Sequence, residues 1–65
     1  MSKTPIEIIQ LALGREKDAV RNYSEYAKTA EEPSIREMFL FLAEEEKKHV
    51  KLLQDEIEKE IYQEM

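Results

Sequence analysis

No cysteine occurs among the 65 residues, which excludes disulfide staples and any cysteine-ligated zinc site and leaves the redox compartment unreadable from thiols. Long apolar runs are missing too: the longest, MFLFLA at 38–43, is far short of the roughly 20 residues that a membrane span requires. The amino terminus lacks the charged start, apolar stretch and small-residue cleavage site of a signal peptide, so a cytoplasmic address is expected. No basic patch interrupts the acidic balance, in which 15 Asp and Glu face 10 Lys and Arg for a formal charge of −5. That balance argues against nucleic acid or anionic membrane as partners and suits the attraction of cations. Alternating apolar and polar positions are absent over any useful length, which removes strands.

What remains is helical. Two segments with apolar residues every three or four positions meet at one break, EEPS at 31–34. In the first, Thr4 is a good N-cap, Pro5 suits the first helical position and Glu7 completes a Thr-x-x-Glu capping box. The spacing predicts a helix over about 5–30, interrupted only by Gly14, whose presence suggests close packing. After a turn at 31–33, Ser34 and Glu37 repeat the capping-box signature and predict a second helix over about 34–64. The expected architecture is all-α, an antiparallel two-helix hairpin forming one half-domain over residues 1–65. A chain of this length seldom builds a sufficient core alone, so a further source of stability is required.

At about 100° per residue, Ile9, Ala12, Val20, Tyr23, Ala27 and Ala30 fall within roughly 40° of Glu16 on the first helix. On the second, Ile35, Phe39, Leu42, Val50, Leu53 and Ile57 fall within roughly 40° of Glu46, and His49 lies at about 60°. Both glutamates therefore sit at the centre of apolar faces, more than two turns from any helix end, where an unpaired ionised carboxylate is costly. A lone histidine on such a face is more often a hydrogen-bonded core residue than a ligand. The set carries more weight than its members. With the turn near residue 32, facing positions have numbers summing to about 64, which brings Glu16 to the level of Glu46 and His49.

One hairpin supplies two carboxylates and one imidazole, an incomplete shell for most metals. Two hairpins packed about a two-fold axis supply the set twice, which is the donor set of di-iron and di-manganese carboxylate bundles: one Glu from each of two helices and Glu-x-x-His from each of the other two. Four carboxylates and two neutral imidazoles balance two divalent cations. A homo-oligomer, at least a dimer, is thus expected to hold two metal ions per subunit pair through Glu16, Glu46 and His49. Manganese or zinc suits these donors as well as iron. A metal-free helical oligomerisation module, with the acids and His49 sharing protons, is the reading from a different class. Tyr23 lies two turns beyond Glu16 on the same face, either as a core aromatic or as a hydroxyl serving the site. Glu45, one turn before His49, is a candidate to orient the imidazole. Leu11, Leu40 and Phe41 fall off the main stripes, which points to contacts on more than one side.

The stretches ALGREKDAVRNYSEYAKTA and IREMFLFLAEEEKKHVKLL resemble the ferritin-like superfamily, in particular the rubrerythrin group. The helices of that group read Glu-x-x-Ala-x-x-x-Tyr and Phe-x-x-Leu-Ala-x-Glu-Glu-x-x-His. The matching positions are Glu16, Ala19, Tyr23, Phe39, Leu42, Ala43, Glu45, Glu46 and His49. The resemblance implies a di-iron centre that oxidises ferrous iron with dioxygen or peroxide, serving iron handling or oxidant detoxification, with Glu16, Glu46 and His49 as ligands. Complete rubrerythrins carry four ligand-bearing helices and a cysteine-ligated iron domain; this chain has half the bundle and no cysteine. Half-length members, the encapsulated ferritins, build the di-iron site between two subunits inside a protein shell. The resemblance therefore adds an encapsulating shell protein as a partner and a nanocompartment as a location.

Overall fold

The computed structural model describes residues 3–63, which form two helices, α1 (Pro5–Thr29) and α2 (Pro33–Gln63), packed antiparallel as a hairpin. The expected last residue of α2, Glu64, lies outside the described residues. α1 starts where its sequence signals it: the Thr4 hydroxyl accepts from the Glu7 amide at 3.2 Å, and Pro5 occupies the first turn, where its missing N–H costs nothing. The box closes differently from the usual form, because the Glu7 carboxylate accepts from the Thr4 hydroxyl at 3.1 Å.

The start of α2 corrects the expectation. Pro33 is already helical, and the Arg36 amide bonds to the Glu32 carbonyl at 3.0 Å, so Glu32 takes the capping position and Ser34 lies inside the first turn. Proline has a fixed φ suited to the first helical position, and this preference wins over the serine cap. Across the turn, Arg36 Nη2 donates to the Ala30 carbonyl at 2.9 Å, partnering an oxygen that the end of α1 leaves free.

Among the described residues only Ala27 and Ala43 are buried, each about 3% exposed. Both are methyl-sized and lie between the helices, Ala27 near the turn and Ala43 about three turns along α2. Phe39 packs there against Tyr23, at 6.1 Å between ring centroids, and against Tyr26, at 5.3 Å. Little else is enclosed. The molecule measures 50 × 24 × 11 Å, one helix thick, with a radius of gyration of 15.1 Å, against about 11 Å for a compact domain of this length. It exposes 5349 Å², whereas a compact monomer of its mass exposes about 4,300 Å². The exposed ion pairs, such as Lys28–Glu25 and Lys51–Asp55, contribute little to closing that gap.

Close packing at Gly14 is not found: a Cβ built there meets nothing within 4 Å, and the backbone has no positive φ. Its cost is therefore uncompensated within the hairpin. Gly14→Ala is expected to stabilise by up to about 1 kcal/mol, seen as a melting temperature several degrees higher in a circular-dichroism melt. A lower melting temperature would show that another copy of the chain packs against Gly14.

Candidate metal centre

The antiparallel register places Glu16 of α1 against Glu46 and His49 of α2. His49 Nδ1 lies 3.2 Å from Glu46 Oε2 and 3.4 Å from Glu16 Oε2. One ligand atom from each of the three residues falls within 4.8 Å of the others. The level matching expected from the short turn is what the hairpin adopts.

The three groups do not satisfy one another. Nδ1 of a neutral imidazole carries at most one proton, and the closer oxygen, on Glu46, is the one within hydrogen-bond geometry. Glu16 Oε2 is covered and has no hydrogen-bond partner. The Glu16 side chain as a whole remains 30% exposed, so the covered atom is the one aimed at the cluster. Two carboxylates and a ring nitrogen thus converge lone pairs on one space with too few protons to share. Such a donor set fits a divalent cation and fits a metal-free polar seam poorly.

The neighbouring lysines do not supply the missing charge. Each site glutamate is followed directly by a lysine, Lys17 or Lys47, but adjacent residues diverge by about 100° around a helix and do not face each other. Lys47 pairs with Glu44 instead, at 3.0 Å.

The triad lies on an open face. His49 is half exposed, Ile8 lines an open groove with Ala12 and Glu16, and Tyr26, Ile35 and Met38 toward the turn are, like Ile8, 40–55% exposed. Ile35 was expected within the apolar face, and it lies there uncovered. Tyr23 stacks on Phe39 with an interplanar angle of 23° and meets the edge of Tyr26. The hairpin thus holds its ring in an aromatic cluster on the turn side of the triad. Glu45 accepts from Lys48 at 3.2 Å, and no hydrogen bond joins it to His49 among the described residues. Lys48 stands at i+3 and His49 at i+4 from Glu45, and both spacings allow a side-chain pair.

The rubrerythrin family model matches residues 7–65 of the chain. Over 42 residues, 65% of the chain, it is 43% identical to the encapsulin nanocompartment cargo protein EncB of Myxococcus xanthus (strain DK1622), of which the match covers 27%. An uncharacterized protein of Archaeoglobus fulgidus is 35% identical over 54 residues, spanning 83% of this chain and 84% of that protein. The chain therefore spans about a quarter of the length of the first relative and most of the second. No solved structure matches.

A cation bound to the folded but not the unfolded chain stabilises by about 2.7 kcal/mol at a hundredfold excess over its dissociation constant. Added ferrous or manganous ion is therefore expected to raise the melting temperature by several degrees relative to chelator. Glu16→Gln should abolish that difference without loss of helicity. A metal-induced shift that survives in Glu16→Gln would remove Glu16 from the ligand set.

Proposed function

We propose that this chain, which belongs to the rubrerythrin family, forms half of a di-iron carboxylate centre that a second copy completes, and that the pair oxidises ferrous iron with dioxygen or hydrogen peroxide. The observation that carries this reading is the covered, unpartnered Glu16 Oε2 aimed at Glu46 and His49 on a face open to a partner. The orphaned oxygen asks for a cation, and the open face asks for the second half of the shell.

A two-fold axis through the open face gives the four-helix interior Glu16, Glu46 and His49 twice. In that arrangement Glu16, Glu46 and His49 of the two copies would hold two metal ions, with His49 already turned through Nδ1 toward both carboxylates. Ile8, which lines a groove with Ala12 and Glu16, and the exposed Tyr26, Ile35 and Met38 toward the turn would be covered by the second copy. Tyr23, held by Phe39, walls the turn side of the site. The bound metal supplies reversible one-electron chemistry and open positions for the oxidant. As substrate, each ferrous ion gives up one electron; two such electrons, with two protons from solvent, reduce dioxygen to hydrogen peroxide or hydrogen peroxide to water. Manganese or zinc would occupy the same donors, but zinc would leave the protein without redox function.

The similarity to a protein named as encapsulin cargo supports a place inside a protein shell in the cytoplasm, with the shell protein as partner. No helix among the described residues is long and apolar enough to cross a membrane.

Native mass spectrometry after anaerobic ferrous loading tests the centre directly. The expected spectrum shows two irons for every two chains, falling to none in Glu46→Ala; unchanged iron in that variant would sink the assignment. Oxygen addition to the loaded protein should then give ferric absorbance at a rate well above that of Glu46→Ala. For the shell, the native chain is expected in the megadalton fraction of a gentle lysate from its source cells, and elution only at the size of its own oligomer would remove the compartment from the proposal.

A further inference from the structure

The side of the hairpin opposite the donor face is cationic, in a chain that is anionic overall. At about 100° per residue, Lys17, Ser24 and Lys28 lie about 80–120° round α1 from Glu16, and Arg36, Leu40 and Lys47 lie about 80–120° round α2 from Glu46. Tyr26 and His49 turn from those glutamates in the opposite sense, by about 60–80°. In an antiparallel pair these rotations carry the six residues onto one side. Ser24, Ala27, Lys28, Arg36 and Leu40 accordingly line one open groove between the helices, and Lys17, Val20, Lys47 and Val50 line the next.

The register makes the cations face each other. The numbers of Lys28 and Arg36 sum to 64, as do those of Lys17 and Lys47, which marks residues at one level across the hairpin. Two rungs of like charge therefore stand about 16 Å apart along the groove, and each repels across it. Their acidic partners are on the outside: Lys28 pairs with Glu25 at 3.4 Å and Lys47 with Glu44 at 3.0 Å, each along its own helix, and such exposed pairs are weak. No acid pairs with Lys17 among the described residues. The floor is apolar, formed by Val20, Ala27 and Val50, with Leu40 half exposed at its edge. Lys17 and Ser24 are seven residues apart, as are Leu40 and Lys47, and heptad spacing keeps each edge nearly parallel to its helix.

We infer that this groove is the docking site for an acidic amphipathic helix of a partner protein. The apolar stripe of that helix lies on Val20, Ala27 and Val50, and its two flanks present carboxylates to Lys17 and Lys28 on one edge and to Arg36 and Lys47 on the other. Helix-in-groove recognition uses this combination of apolar anchors and flanking charges, and the charges choose the partner. An inorganic polyanion would match the cations but leave the apolar floor in water, and an anionic bilayer would meet the rim but not a floor sunk between two helices. A second copy centred on the groove would turn one cationic rung onto the other, so this stretch does not match its own image as an isologous contact requires.

The test is fluorescence anisotropy with two labelled three-heptad peptides carrying Leu at a and d, one with Glu and one with Lys at e and g, titrated with the chain in chelator. The Glu peptide is expected to bind, more weakly as salt rises, and the Lys peptide is not. Lys28→Glu/Lys47→Glu should weaken the Glu peptide by about tenfold or more, with helicity unchanged by circular dichroism. Amide shifts in nitrogen-15 NMR should gather at Ser24, Lys28, Leu40 and Lys47. Glu46→Ala should bind the Glu peptide as wild type does, so a failed metal centre and a failed groove are read separately. Absence of Glu-peptide binding, equal binding of the Lys peptide, equal binding by the charge-reversed variant, or shifts gathered at Glu46 and His49 would overturn the assignment. Capture by phosphatidylglycerol vesicles in place of the Glu peptide would overturn it in favour of a membrane surface.

Discussion

Glu16 and Glu46 are held at one level by a short turn, and the two carboxylates share a single imidazole nitrogen that cannot satisfy both. With ligand atoms within 4.8 Å of each other, two ionised carboxylates repel by about 3 kcal/mol at the effective dielectric of a protein surface. A second copy on the same face would double the number of carboxylates in one interior. In the proposed centre, folding, assembly and ligand would be one equilibrium: the pair that completes the metal shell would be the pair that most needs the metal. The same physics explains why the site lies on the open side. Enclosed within one hairpin, the carboxylates would be buried before a cation could compensate them.

The thinness of the molecule has the same root. Ala27 and Ala43 are small enough to bring α1 and α2 together, yet two buried alanines and an aromatic cluster at the turn leave a slab 11 Å deep, with no interior in the usual sense. About 1,000 Å² separates its exposed surface from that of a compact monomer, which is close to the roughly 800 Å² that each partner buries in a standard protein interface. A half-bundle of this kind would gain its core by the proposed assembly, on the broad face that carries the triad.

Much of this was legible in the sequence, because helix faces and hairpin register follow from periodicity and one break. Thr4 and Pro5 mark the first start by an unambiguous cap; Glu16, Glu46 and His49 converge by arithmetic alone, and the structure brings them within bonding range. The misses lie where two local rules compete or where the environment decides. At 33–34 both proline and serine are start signals, and the fixed backbone of Pro33 outweighs the Ser34 hydroxyl. At Gly14 the sequence shows an absent side chain but not whether anything occupies the space, and here nothing does. Glu45 has two possible i, i+3 or i+4 partners, Lys48 and His49, which composition cannot rank.

In the proposed centre, pairing through the donor face would gather four carboxylates, so charge would oppose it until cations arrive and each cation bound would strengthen it. The metal would then govern whether half-sites become sites. In a chain with so little interior, the charge that resists assembly in the absence of metal is the same charge that draws the metal in.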